Sequence, residues 1–184
     1  MASFGAKYIK FAPVKSEESG KLPTYDAAVE IGALVKADLT VNLASGEIYA
    51  NNMLDERMEE FISGTLAVEV SDMTDEVEST IFGSTLKEKE LIDNTADEIP
   101  YGGLGYYKSL TRGGKKLFKA YFYPKVKAIQ GNDSAVTKGS SITLSGSPLT
   151  FTVFEPDTGD WRYRETFESE NEAVAYIDEK LSAT

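Results

Sequence analysis

The chain has 184 residues, with 30 Asp plus Glu against 19 Lys plus Arg, a formal charge of −11. With 41% apolar residues, 9 Phe, 10 Tyr and 1 Trp, it can bury roughly 70% of its unfolded surface at this length, which argues for a single domain over residues 1–184 and against disorder. The absence of Cys and His excludes disulfides, thiolate nucleophiles, zinc fingers and Ser-His-Asp triads. The first residues carry no apolar signal run and no stretch nears the roughly 20 apolar residues of a membrane span, so a soluble protein made in a cytoplasm, without a membrane partner, is expected.

Strand signals dominate the chain in order. Residues 7–13 alternate Tyr8 and Lys10 with Ile9 and Phe11. Residues 54–62 are ambiguous: Met58, Phe61 and Ile62 suit one helical face, yet an extended excursion fits as well. Residues 65–71 place Leu66, Val68 and Val70 on one face of a half-buried strand. A short helix is expected over residues 75–82, with Thr74 as cap, early acids suiting the dipole and Gly83 as the stop. The clearest hairpin joins residues 104–110 to 115–126 through Thr111-Arg112-Gly113-Gly114, since a Gly pair supplies the positive φ of a tight turn. Its second strand alternates Phe118, Ala120 and Phe122 with Lys119, Tyr121, Tyr123 and Lys125. Residues 141–144 and 149–154 suggest another strand pair. Ser169-Glu-Asn-Glu172 reads as a capping box before a helix whose stripe, Ala173, Ile177 and Leu181, must dock on a sheet. The fold class is therefore mainly β, with two flanking helices.

Charge is segregated along the chain. Residues 1–46 balance at five acids and five bases, and residues 47–98 carry 15 acids against Arg57, Lys87 and Lys89. Residues 99–132 then hold seven bases and no acid, and the rest returns ten acids against four bases. Such blocks are either solvated faces that keep a monomer soluble or complementary patches through which copies meet.

No motif supports catalysis. Tyr101-Gly-Gly-Leu-Gly105 lacks the dinucleotide spacing and Gly114-Lys115 lacks the phosphate-loop glycine, Ser109 standing in its place, so both read as turn glycines. Asp157-Thr-Gly-Asp160 offers too few ligands for a calcium loop, and Asn132-Asp-Ser134 reads as a loop. Asp55/Glu56 and Glu59/Glu60 are pairs expected by chance among 30 acids. No catalytic residue, metal site or cofactor is assigned, and an enzyme is not expected. The basic hairpin is different: Lys119, Tyr121, Tyr123 and Lys125 on one face, near Lys108 and Arg112, mix cations with rings as single-strand nucleic-acid binders do. The same mixture suits a protein interface.

The ordered series resembles the major tail protein, the tail tube subunit, of long-tailed bacteriophages. The likeness is carried by Gly5-Ala-Lys-Tyr-Ile-Lys-Phe-Ala-Pro13, by Gly46-Glu-Ile-Tyr-Ala-Asn-Asn52 with Asn51 in the place of an Asp, and by Pro100-Tyr-Gly-Gly-Leu-Gly-Tyr-Tyr107 followed by the basic hairpin to Lys127. Thr137-Lys-Gly139, Ser147-Pro-Leu-Thr-Phe-Thr-Val153, Trp161 and the terminal helix complete it.

That resemblance implies a β-sandwich or barrel-like domain, six copies of which close a ring, with rings stacking into a tube that conducts double-stranded DNA. It also implies a tape measure protein and tail end proteins as partners, and a place in the virion tail after assembly in the bacterial host cytoplasm. An acidic wall would keep phosphates from sticking within a Debye length of roughly 8 Å. Glu47, Glu59, Glu60, Glu69 and Asp72 are the expected wall residues, Glu69 first because it faces away from Leu66, Val68 and Val70. Tyr49, Asn51, Asn52, Arg112, Lys119, Tyr121 and Lys125 are the expected contacts between copies.

Overall fold

The computed structural model describes residues 2–50, 53–131 and 146–182. The chain is mainly β. Five strands lead: β1 (Ala2–Ser16), β2 (Thr24–Tyr25), β3 (Val29–Gly32), β4 (Leu34–Ala50) and β5 (Met53–Val70). Helix α1 (Asp75–Phe82) and a small hairpin, β6 (Thr85–Lys87) with β7 (Glu90–Ile92), follow. The chain closes with β8 (Tyr101–Arg112), β9 (Lys115–Ile129), β10 (Ser147–Val153), β11 (Tyr163–Phe167) and helix α2 (Glu170–Leu181).

Pairing closes the main sheet on itself. The antiparallel path runs β1-β8-β9-β10-β5-β4. β3, separated from β4 by Ala33 alone, pairs back onto β1 through Ile9↔Gly32 and Phe11↔Val29. Strands β3 and β4 thus act as one bent strand that finishes a barrel, and closure removes the edges an open sheet would expose. Gly32 permits the bend, since its φ of +151° and an added Cβ 2.3 Å from the Asp72 carbonyl oxygen exclude any other residue.

Inward-facing residues alternate along the strands and fill the barrel: Ile9, Phe11, Leu66, Val68, Leu104, Phe151 and Val153 are buried there. A second apolar layer lies outside it. Ala173, Ile177 and Leu181 of α2 pack on Tyr25, Tyr107, Ala120 and Phe122, so the outer face of β8 and β9 is covered by the helix that the stripe predicted. Each fully buried Ile or Leu contributes about 1.5–3 kcal/mol relative to exposure.

Three expectations change, and one open alternative is decided. Gly102, Gly103 and Gly105 are strand residues rather than turn residues, and they are small because the neighbours leave no room: a Cβ would sit 2.3 Å from the Phe11 ring, 2.7 Å from the Tyr25 ring and 2.7 Å from Ile177 Cγ2, respectively. Residues 54–62 are extended within β5, held by cross-strand partners in β4. Tyr121 and Tyr123, expected on an exposed face, are 8% and 1% exposed: both stack with Tyr106, the Lys108 and Lys119 side chains lie over Tyr121, and α2 covers the strand's other face. Ser169 caps α2 without a side-chain capping bond; Glu170 instead accepts a hydrogen bond from the Tyr107 hydroxyl. Gly113 and Gly114 do form the expected turn, at φ +58° and +79°. Residues 132–145, with the Asn132 loop, Thr137-Lys-Gly139 and the strand expected over 141–144, lie outside the described residues.

Candidate functional site

The registers show two arms leaving the same end of the barrel. β10 pairs β5 from Val70 to Gly64, and Gly64 lies beside Val153, which in turn pairs Val126 of β9. Beyond that level β5 continues toward lower residue numbers with β4 as its only partner among the described residues, and β9 continues the same way between β8 and β11.

The first arm is a two-stranded ribbon, about 30 Å long at 3.4 Å per residue over positions 41–50. Its described side chains are exposed, apart from Phe61, which is half-buried at the base. Val41 (38%), Leu43 (48%), Ile62 (59%) and Met58 (60%) are large apolar groups left in water. On the face that continues the barrel interior, Arg57 pairs with Glu47 at 3.8 Å and Glu59 at 2.6 Å. At the ribbon's base Phe61 stacks on Trp161, centroids 4.2 Å apart and planes 6° apart, with the Arg162 guanidinium 4.5 Å from the Trp161 ring.

The second arm is the sheet β1-β8-β9-β11. On its side toward the barrel interior Tyr106 stacks on Tyr121 at 5.1 Å and on Tyr123 at 6.3 Å. Burial pushes the Tyr106 and Tyr123 hydroxyls up, and the neighbouring Tyr106 hydroxyl and then the Arg162 charge partly offset this at Tyr123. Lys108 and Lys119 are direct cross-strand partners and both lie over the Tyr121 ring, at 5.2 and 5.8 Å. Arg164 stands opposite Tyr121 on β11, on the same face. Among the described residues none of Lys108, Lys119, Arg162 and Arg164 makes an ion pair.

The anticipated residues divide between several places. Glu47, Glu59 and Glu60 lie on the ribbon, while Glu69 and Asp72 lie at the barrel's other end, nine strand residues or roughly 30 Å from Glu60. Glu69 faces outward, in a row with Lys36 of β4 and Pro148 of β10. The next rows on that outer face are Asp38, Ala67 and Thr150, then Thr40, Thr65 and Thr152, and Lys36 is paired with Asp38. Arg112 is exposed at the turn between β8 and β9. Lys125 is already engaged, with Glu17 at 2.7 Å and the Tyr101 ring at 5.2 Å. The side chain of Tyr49, and Asn51 and Asn52 entirely, lie outside the described residues.

Reasoning from sequence missed Arg162, Arg164 and the Phe61–Trp161 stack. The two arginines sit in a block with ten acids, so their charge was averaged away; the alternation Arg162, Arg164, Thr166 on a strand was the available signal. A concavity lined by Phe167, Tyr176, Glu179 and Lys180 is an open groove between β11 and α2, and among the described residues no cluster of acids could hold a metal. No described helix is long and apolar enough to cross a membrane. No protein-family model matches this chain, and comparison with curated proteins finds no significant match.

Proposed function

We propose that this chain is a structural subunit that assembles with copies of itself into stacked rings around a channel, the tail tube of a long-tailed bacteriophage. The ribbon carries the reading. A lone two-stranded hairpin is marginal in water, and this one also exposes Val41, Leu43, Met58 and Ile62, a cost that burial against another copy removes. A ring follows if such a head-to-tail contact closes, and a tube if a second contact propagates along the axis.

The outer face of β4, β5 and β10 suits a channel wall. Its described rows offer hydroxyls from Thr40, Thr65, Thr150 and Thr152, the carboxylate of Glu69, and a Lys36 already neutralised by Asp38. Such a surface gives phosphates little to bind. The rival reading, a single-strand nucleic-acid binder, needs exposed rings for stacking, and the burial of Tyr121 and Tyr123 weakens it.

Electron microscopy of the purified protein at rising concentration tests the proposal. Rings or tubes with Glu69 toward the bore are expected; a monomer at all concentrations, or a bore lined by cations, refutes it.

A further inference from the structure

We infer that the inner face of the β1-β8-β9-β11 arm is a seat for the acidic ribbon of a second copy. This rests on the self-assembly reading and names the surfaces that meet.

The argument begins with a local cost. Lys108 and Lys119 stand directly opposite on neighbouring strands, an arrangement of like charges that destabilises a sheet. Arg162 and Arg164 add to the same face, and no described carboxylate pairs with any of the four. The tyrosine stack beneath them holds the lysines by their attraction to the Tyr121 ring, so the charges are positioned yet unsatisfied. The occupant is indicated by complementarity. The ribbon, residues 41–62, carries five acids and one arginine, and Glu60 is exposed on it without a partner. Within one copy the two arms touch where Phe61 stacks on Trp161, and among the described residues no ion pair joins them, so the carboxylates that fit come from a neighbour. The contact is heterologous, ribbon into seat, and each copy offers both halves.

Sedimentation velocity on four samples tests this: wild type, Lys108→Glu/Lys119→Glu, Glu59→Lys/Glu60→Lys, and an equimolar mixture of the two variants. Each variant alone should associate at least tenfold more weakly than wild type, and the mixture should recover association because each variant's altered half complements the other's. Lys119→Met guards against a folding defect: removing one of two opposed lysines should leave the monomer's melting temperature equal or higher while weakening association about tenfold. If wild type assembles and the lysine variants assemble equally well, or the mixture fails to recover, the seat is wrong and self-assembly stands. If wild type never assembles, both fall. If wild type retards single-stranded DNA and Lys108→Glu/Lys119→Glu does not, the face belongs to nucleic acid and the seat is overturned.

Discussion

Gly105→Ala tests how α2 is seated. An added Cβ would lie 2.7 Å from Ile177 Cγ2 and 3.5 Å from the Tyr121 carbonyl oxygen, so the helix must retreat by roughly 0.7 Å to restore an ordinary contact. Overpacking of this kind costs about 1–3 kcal/mol, offset by about 0.4–1 kcal/mol from the stiffer unfolded chain. The net is a loss of up to about 2.6 kcal/mol, centred at about 1.3 kcal/mol, or roughly 3–5 °C in melting temperature at that centre for a chain of this size. Ile177→Ala alone leaves a cavity and costs about 2–5 kcal/mol. In the double variant the clash has no partner, so it should be no less stable than Ile177→Ala, a coupling of about 1–3 kcal/mol. Urea unfolding followed by circular dichroism measures all four proteins. Simple additivity of the two single changes would show that Gly105 is not small on account of the helix.

Three further outcomes follow from named contacts. The Glu170 carboxyl is held below its ordinary 4.5 chiefly by the hydrogen bond from Tyr107, with Lys7 and Lys116 adding to it; the folded state binds fewer protons than the unfolded one, so this stabilisation is present above pH 4.5 and lost as pH falls through the lowered value, and thermal melts from pH 6 to 3 should fall less steeply in Glu170→Gln. Tyr8 sits at φ +56° in a bulge of β1 and donates to both carboxylate oxygens of Asp178 at 2.9 Å. Tyr8→Phe keeps the strained backbone and loses that bond, about 1 kcal/mol, and Asp178→Asn should lower the melting temperature of wild type more than that of Tyr8→Phe. Phe61→Ala removes a stacked pair worth about 0.5–1.5 kcal/mol; amide exchange should quicken in the ribbon with little change in the barrel, and Trp161 emission should shift to the red.

Local patterns legible in the sequence were those with one strong period or one special residue. The stripe Ala173, Ile177, Leu181 gave the terminal helix, Leu66, Val68 and Val70 gave an inward strand face, and Gly113-Gly114 gave the turn. What escaped reading depended on a third dimension. Gly103 and Gly105 read as turn residues because sequence does not reveal a helix some 70 residues away pressing on the strand. Tyr121 and Tyr123 read as exposed because alternation assumes one wet face, whereas β9 has the stack with Tyr106 on one side and α2 on the other. Residues 54–62 matched two periods equally, and only the ladder with β4 decides for a strand. At the candidate site Lys119 was visible; its opposition to Lys108 required the register, and Arg162 and Arg164 required β11 to be placed beside β9.

The same registers explain why charge is arranged in blocks along the chain. A closed barrel gives each long hairpin a fixed end, and the acidic hairpin β4-β5 and the basic hairpin β8-β9 both extend past the closure at one end. Had the blocks been meant to meet within one copy, the shortest solution would be ion pairs across the gap between the arms, and the described pairs instead join Arg57 to its own ribbon and Lys125 to Glu17. Two like-charged arms on one copy would repel a second copy brought up in the same orientation. On the proposed self-assembly, oppositely charged arms would let the ribbon of each copy reach the basic arm of the next, and because both halves are present on every copy, the contact would repeat until rotation closes it.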